Sequence, residues 1–203
     1  MTLLRSQPTP TLEEFLKLPE TKPAKEYING KIYQKPMPQG KHSTLQSELV
    51  SAINQAGKTQ QRSGTWRGNL AVSSAQKLAY AFPKLRCTFA GRSIVPDIAV
   101  FEWQNIPLDA NGQIANKFTI APDWIIEILS PQQSAQVMRK IIFALSNGTK
   151  LGYFIDPDDE SVTVFQPNSL PEVKEKQDIL TVLDVWQSWQ IKVEDIFSWL
   201  SFA

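Results

Sequence analysis

Two apolar segments of this chain each contain one carboxylate at a position where a core strand ordinarily has none. PDWIIEILSP, residues 122–131, places Glu127 inside an apolar run, and SIVPDIAVF, residues 93–101, places Asp97 directly after a proline. Burying a carboxylate without a partner is costly, so each acid requires a cation, several hydrogen-bond donors or a metal ion. The fold must therefore supply such a partner inside or beside its core.

Two explanations fit these acids. Taken singly, each is an acid near a strand end in an ion pair. Taken together, two acids on neighbouring core strands favour a site for a hard divalent cation, because Mg²⁺ binds few carboxylates and fills its remaining positions with water and phosphate oxygens. A site of this kind serves the hydrolysis of a phosphodiester, in which the metal activates water and neutralises charge.

The length and composition favour one soluble domain. A chain of 203 residues is long enough for one full core, and 42% of its residues are hydrophobic. Cys87 is the only cysteine, which excludes a disulfide framework and a thiolate zinc cluster. No segment resembles a signal peptide or reaches membrane-spanning length, so we expect a cytoplasmic protein with no membrane association.

The charges are divided unevenly along the chain, although the formal net charge is only +1. Residues 1–92 contain 14 Lys and Arg against 5 Asp and Glu, whereas residues 93–203 contain 7 against 15. This asymmetry is typical of a surface that faces a polyanion such as DNA. It is equally explained if both halves only solvate the fold and pair with each other, so both explanations stay open.

The sequence predicts an α/β fold of the α+β type. Thr11 and Glu14 have the spacing of a capping box and open a short helix, and Asn29-Gly30 predicts a tight hairpin. Apolar spacing predicts further helices at HSTLQSELVSAINQA, at residues 134–146 and at VEDIFSWL. The other predicted strands are KLAYAF, KLRCTF, SIVPDIAVF, WIIEIL, LGYFID and SVTVF.

The succession of sequence blocks resembles the Uma-type family of restriction-endonuclease-like proteins, which is abundant in cyanobacteria. The blocks are EYINGKIY, GKHSTLQSELVSAI, VPDIAVF, PDWIIEILSP and GYFIDP. Each block alone is weakly specific, but the combination is specific. The resemblance implies a restriction-endonuclease-like fold of the PD-(D/E)xK type, in which a central mixed β-sheet is flanked by helices and metal-binding acids lie on adjacent strands.

On this resemblance, residues 1–203 form one restriction-endonuclease-like domain. Its core spans about residues 26–157, preceded by an N-terminal helix over residues 11–18 and followed by a C-terminal extension over residues 158–203. Asp97 matches the motif aspartate and Glu127 matches the second motif acid. Both are therefore expected to bind Mg²⁺ or Mn²⁺.

The motif lysine is the point at which the chain departs from the family pattern. Residues two apart share a face of a strand, so the motif lysine is expected where this chain has Leu129. In the family the lysine comes instead from the following helix, and the apolar positions of that helix put Gln136 at or next to its place. Lys140, one turn further on the same face, is the candidate for a relocated catalytic lysine; the alternative is an ordinary solvent-facing lysine.

Two further catalytic candidates lie on the helix at residues 42–56. Nucleases of this fold often use a helix acid, which here is Glu48, and the family commonly has a histidine at the position of His42, the only histidine of the chain. The alternative for Glu48 is an exposed helix glutamate. The alternative for His42 is a capping or supporting role.

Basic and aromatic residues supply candidate contacts to nucleic acid. Lys84, Arg86 and Arg92 surround the strands before Asp97 and are candidates for binding phosphates. A polar segment over residues 57–76 has the composition of a flap that stacks on a nucleic-acid strand, with a solvated insertion as the alternative. Its basic and aromatic residues are Lys58, Arg62, Trp66 and Arg67.

These observations together predict a Mg²⁺- or Mn²⁺-dependent DNA endonuclease. We also expect a homodimer, because the C-terminal third is rich in tryptophan; Trp124, Trp186, Trp189 and Trp199 are expected in the core or at a dimer interface. Two other functions fit the sequence. One is a catalytically impaired DNA-binding or accessory protein of the same fold, and the other is a protein-interaction module with no nucleic-acid role.

Overall fold

The computed structural model describes residues 9–58, 77–130, 134–186 and 188–201. The helices are α1 (Leu12–Leu16), α2 (Gly40–Lys58), α3 (Ser134–Leu145) and α4 (Val193–Ser198), with a 3₁₀ turn at Trp103–Asn105. The strands are β1 (Lys25–Ile28), β2 (Lys31–Gln34), β3 (Ala79–Pro83), β4 (Cys87–Phe89), β5 (Arg92–Ile94), β6 (Ile98–Glu102), β7 (Trp124–Ile128), β8 (Leu151–Asp156), β9 (Ser161–Phe165) and β10 (Glu172–Glu175). Across the described part of the chain, no helix has the length and apolar character needed to cross a membrane.

Six strands form one mixed sheet in the order β10-β9-β8-β7-β6-β3. β7 and β8 are parallel and are connected through α3, whereas every other neighbouring pair is antiparallel. β6 and β7 are buried along their whole length, which explains why their sequences are almost continuously apolar. The predicted architecture, a central mixed sheet flanked by helices, is confirmed.

Four shorter strands form a second sheet in the order β2-β1-β5-β4. β1 and β2 are the predicted hairpin, and Asn29 and Gly30 have φ values of 50° and 78°, as a two-residue turn with the twist of a hairpin requires. The register pairs Glu26 with Tyr33. Because side chains alternate between faces, this register decides which hairpin residues lie together on the buried face.

The segment SIVPDIAVF forms two strands and not the single strand that the sequence predicts. β5 ends at Ile94 in the small sheet, and β6 begins at Ile98 in the large sheet. Pro96 has no N–H to continue a ladder and has a fixed φ, so a central strand does not continue through it. Asp97 therefore lies at the crossing between the two sheets, just outside β6.

The core extends into the C-terminal part of the chain. Trp124 and Tyr153 are fully buried and pack edge to face, with 4.7 Å between ring centroids. Trp186 is buried 6.2 Å from Trp124, and Trp189 and Trp199 pack against the same core. These tryptophans therefore belong to the core or its margin. They give no support to a dimer interface, and the homodimer stays a prediction.

Helix α3 lies close against β8 at Gly152. A Cβ atom at this position would lie 2.5 Å from Cγ2 of Ile141, which is closer than two carbon atoms approach without a shift of the structure. A glycine within a strand commonly marks such an approach of neighbouring groups. Ile141 directly follows Lys140 in α3, so the absence of a side chain at Gly152 lets the helix sit deep at the point where it carries that lysine.

Candidate active site

A cleft of about 600 Å³ opens where the two sheets meet helices α2 and α3. Six of the ionisable side chains in its wall come from six different parts of the fold and lie close together, and we call these six the cleft cluster. They are Glu26 of β1, Lys35 after β2, His42 of α2, Asp97 between β5 and β6, Glu127 of β7 and Lys140 of α3. Glu26, Asp97, Glu127 and Lys140 are each no more than 3% exposed, so their charges must be compensated within the cluster.

Asp97 is held by contacts to both of its carboxylate oxygens. Oδ1 lies 2.7 Å from Nζ of Lys35, while Oδ2 lies 3.1 Å from Nε2 of His42 and accepts the backbone N–H of Ile128 at 3.0 Å. Gln46 in α2 donates to the backbone carbonyl of Asp97 at 2.6 Å. Burial alone would raise the pKa of Asp97, but Lys35, His42 and Lys140 outweigh it and hold that pKa well below its ordinary value.

Glu127 is more deeply buried and less well satisfied. Oε1 lies 2.9 Å from Nζ of Lys140 without hydrogen-bond geometry, and Oε2 lies 3.5 Å from Nζ of Lys35. Burial raises the pKa of Glu127 to about 7, and the carboxylates of Asp97 and Glu26 raise it as well, against the lowering effect of Lys140 and Lys35. Asp97 and Glu127 therefore have opposite pKa shifts, because Lys35 and His42 outweigh burial at Asp97, whereas burial and two neighbouring carboxylates prevail at Glu127.

Lys140 connects Glu127 to a third acid. Its Nζ is 2.9 Å from Oε1 of Glu26 and 2.9 Å from Oε1 of Glu127, and Glu26 also accepts the backbone N–H of Val95 at 2.8 Å. Burial lowers the pKa of Lys140, but Glu127, Glu26 and Asp97 outweigh that effect and raise it above its ordinary value. Lys140 is therefore a permanent buried cation and holds two carboxylates in place; it is not the solvent-facing lysine of the alternative interpretation.

Sequence reasoning missed two residues of this cluster, Glu26 and Lys35. Lys35 is the second lysine of the cluster. Its Nζ contacts Asp97 and Glu127 and donates to the carbonyl of Val95 at 2.9 Å. The signal that points to Lys35 is the hairpin register. Tyr33 lies opposite Glu26, and Lys35 is two residues after Tyr33, so its side chain lies on the same face as that of Glu26. Only the position of the small sheet against β6 and β7 brings that face to the acids.

Helix α2 turns a different face to the cluster from the one that includes Glu48. His42 and Gln46 are one helical turn apart, are both buried and both contact Asp97. Glu48 is exposed and does not line the cleft, because it lies about 200° around the helix from Gln46. The structure thus brings together Asp97, Glu127, Lys140 and His42 and leaves Glu48 outside.

The candidate phosphate contacts have different surroundings. Arg86 donates to both carboxylate oxygens of Glu20 at 2.9 and 2.8 Å, and the guanidinium of Arg92 lies 3.9 Å from the ring centroid of Phe143. Both arginines thus have partners within the chain. Lys84 is exposed and lines the cleft, which makes it the best placed of the three for a phosphate.

The remaining sequence candidates divide as follows. Gln136 lines the cleft, and Leu129 packs against the apolar core. Lys58 ends α2 and is exposed, whereas Arg62, Trp66 and Arg67 lie outside the described residues.

The oxygen atoms of the cleft could serve as ligands for a hard divalent cation, although few of them are carboxylates. Asp97 Oδ1 and Glu127 Oε2 both face one cationic atom, Nζ of Lys35, so two carboxylates already converge on a point of positive charge. Within the described ranges, no group of three or more His, Cys, Asp or Glu side chains is arranged around a metal position. Mg²⁺ does not require three, because it takes few carboxylates and keeps several waters. The residues therefore fit the metal once the ammonium of Lys35 moves away.

Comparisons with known proteins show a family and a solved structure to which the chain is similar. A family model for Uma2, described as "Putative restriction endonuclease", matches residues 12–194, a range that contains the whole cleft cluster. The chain is also similar to a solved structure described as "a putative nuclease belonging to DUF820 from Anabaena variabilis ATCC 29413". The two sequences are 49% identical, the match covers 94% of this chain and 99% of that chain, and the TM-score is 0.84. No curated protein matches the chain.

Proposed function

Because the chain belongs to the Uma2 family of restriction-endonuclease-like proteins, we propose that it is a metal-dependent DNA endonuclease with the cleft cluster as its active site. The observation that carries the proposal is the convergence of two buried carboxylates on one cation. Asp97 and Glu127 lie 2.7 and 3.5 Å from the same ammonium. Mg²⁺ and Mn²⁺ are bound by few carboxylates together with water and phosphate oxygens.

Asp97 and Glu127 are the residues that would hold the metal. When bound, a divalent ion supplies charge neutralisation at the phosphate and a water of lowered pKa. His42 fixes the second oxygen of Asp97, and Ile128 donates its backbone N–H to that same oxygen. The chain thus holds the first acid in one orientation before substrate arrives, which reduces the cost of assembling the site.

Lys140 is a positioning residue in this proposal. It is charged at neutral pH because its surrounding acids raise its pKa, so it does not act as a base. Its contacts to Glu26 and Glu127 fix the second metal-binding acid and offset part of its negative charge. The in-line attack of water on the phosphodiester therefore takes place beside a site whose carboxylates are already oriented.

DNA is the proposed substrate, and the basic N-terminal half of the chain supports it. Lys84 at the cleft is the proposed phosphate contact. We also propose that the protein is a homodimer and that it is cytoplasmic. Sedimentation of the purified protein tests whether it is a dimer.

Cleavage of supercoiled plasmid in the presence of Mg²⁺ or Mn²⁺ tests the proposed activity. We expect Asp97→Asn and Glu127→Gln each to lower the cleavage rate by about 100-fold or more, because each removes a charge that binds the metal. Matched controls come from the other end of the same strands. Glu102 and Asp123 are also buried acids, but neither lines the cleft, so Glu102→Gln and Asp123→Asn should retain cleavage in folded protein.

The outcomes separate the competing functions. DNA binding that weakens steeply with salt, with no cleavage by the wild type in either metal, would support the accessory protein instead. If the wild type neither binds nor cleaves DNA, the protein-interaction module is the function that remains.

A further inference from the structure

We propose that Lys35 is an exchangeable internal cation, which occupies the metal position in the metal-free protein and leaves it when a divalent ion binds. This inference rests on the proposed function for the identity of the metal site. It concerns a residue that the active-site motif does not include, since Lys35 follows β2 in the small sheet. Three observations support it: the oxygen atoms around its ammonium, the charge of the cluster and the unequal burial of the two lysines.

The ammonium of Lys35 is surrounded by oxygen atoms. Nζ lies 2.7 Å from Oδ1 of Asp97, 2.9 Å from the carbonyl of Val95 and 3.5 Å from Oε2 of Glu127. An ammonium has three donors, and three oxygens are available here. Carboxylate and carbonyl oxygens are also the ligands of hard divalent cations, so the position of Nζ suits either kind of cation but not both together.

The charge of the cluster favours exchange over addition. When Glu127 is ionised, as metal binding requires, the three carboxylates of Glu26, Asp97 and Glu127 carry three negative charges, and the two ammonium groups carry two positive charges. Adding a divalent ion while both ammonium groups stay would leave one excess positive charge in a buried place. Replacing the ammonium of Lys35 by the divalent ion brings the summed charge of these groups to zero. A summed charge of zero is the less costly result in a buried site of low dielectric constant.

Lys35 can leave, whereas Lys140 cannot leave without opening the core. The side chain of Lys35 is 16% exposed and lines the cleft, but that of Lys140 is 3% exposed. The backbone N–H of Lys35 donates to the carbonyl of Ala24 at 2.9 Å, so the strand end stays in place while the flexible side chain swings. Once released into the cleft, its ammonium faces the space that the substrate phosphate would enter.

Two measurements on the metal-free and Mn²⁺-loaded protein, both made without DNA, test the exchange. The first is the affinity for Mn²⁺, read from the electron paramagnetic resonance of the free ion. Lys35→Met removes the competing ammonium and should tighten Mn²⁺ binding by about tenfold or more. Lys41→Met is the matched control, because Lys41 is an exposed lysine that pairs with Asp158 at the surface, and it should leave the affinity unchanged.

The second measurement is acetylation of lysines in the wild type, followed by mass spectrometry. It does not depend on whether the Lys35→Met variant folds. Lys35 should react slowly in the metal-free protein and severalfold faster once Mn²⁺ is bound, while exposed Lys41 should react equally in both states.

The outcomes of these measurements are distinct from those of the cleavage assay. Mn²⁺ binding with unchanged acetylation of Lys35 and no gain in affinity from Lys35→Met overturns the exchange and leaves the nuclease proposal standing. Absence of Mn²⁺ binding by both the wild type and the variant overturns it as well. Release of Lys35 on Mn²⁺ binding, without plasmid cleavage, upholds the exchange and contradicts the nuclease.

Discussion

Both ends of the β6–β7 strand pair carry buried acids in contact with lysine, and the two ends differ in how those acids are satisfied. At one end lies the cleft cluster. At the other end, Lys150 lies 2.6 Å from Oε1 of Glu102 and 3.1 Å from Oδ1 of Asp123, and we call these three residues with Asn105 the opposite cluster. Both clusters pair Asp and Glu with lysine at 2.6–3.5 Å, and both lie at ends of β6 and β7.

The acid Asp123 of the opposite cluster is well hydrogen-bonded, whereas the cleft cluster borders an accessible cleft and contains a carboxylate oxygen of Glu127 with no hydrogen bond. Asp123 accepts the backbone N–H of Glu102 at 2.8 Å and the side-chain amide of Asn105 at 2.9 and 3.0 Å. Its lysine is half exposed, with 49% of the side chain accessible, and none of its residues lines the cleft. A buried acid on a core strand therefore does not by itself indicate a site. Incomplete hydrogen bonding next to an accessible cleft is the feature that separates the two ends.

The largest difference between the ends should appear when each loses its lysine. Lys140→Met leaves Glu26 and Glu127 buried without their shared cation and should lower the free energy of unfolding by about 3–5 kcal/mol. Lys150→Met removes a half-exposed ammonium and should cost less than about 1 kcal/mol. Urea denaturation of the two variants measures both values; equal losses would mean that the two clusters do not differ in this respect.

A smaller effect should come from the amide that satisfies the opposite cluster. Asn105→Ala removes the donor to both oxygens of Asp123 and should cost about 1.5–3 kcal/mol, the range for a hydrogen bond to a charged group. The same urea measurement applies. We expect this loss to exceed that of Lys150→Met, and the reverse order would show that the lysine, and not the amide, compensates Asp123.

The third prediction is a pH dependence of the free energy of unfolding that is specific to the cleft end and small for each pH unit. Burial raises the pKa of Glu127 from 4.5 to about 7, so between these values the folded protein keeps a proton that the unfolded chain has lost. The stability from this proton is fully present below about pH 4.5 and is lost as the pH rises through about 7. Relative to Glu127→Gln, the metal-free wild type should lose about 1 kcal/mol per pH unit over this interval.

Chemical denaturation at several pH values from 5 to 8 measures this slope. Glu102→Gln, which alters the opposite cluster, should retain the slope of the wild type. A wild type that loses no stability relative to Glu127→Gln over this range would contradict the raised pKa.

Local signals in the sequence predicted much of the fold because they act within a few residues. The capping box forms as its spacing indicates, with Glu14 accepting the backbone N–H of Thr11 at 2.8 Å, and the Asn29-Gly30 hairpin forms as well. β10 was not predicted, because its sequence EVKE is charged and its edge position exposes it. The apolar runs predicted the central strands, since burial on both faces leaves few other residue types.

The candidate site was predictable only in part because it depends on how distant elements meet. Asp97, Glu127 and Lys140 were found from the chain, and their roles remain proposals. The sequence does not distinguish Asp97 and Glu127 from the buried acids of the opposite cluster. Glu26 and Lys35 were missed because their contacts depend on the small sheet docking against β6 and β7, and no periodicity within one strand encodes that docking.

The depth of Lys140 in the fold depends on Gly152, a residue that does not line the cleft. The distance between α3 and β8 is set by an absent side chain, and that distance fixes how far the lysine reaches toward Glu26 and Glu127. The separation of charges in the site is thus influenced from a neighbouring face of the helix, because Ile141 and Lys140 lie about 100° apart around it. Substitutions that thicken this helix–sheet layer would alter the electrostatics of the cleft without changing any charged residue.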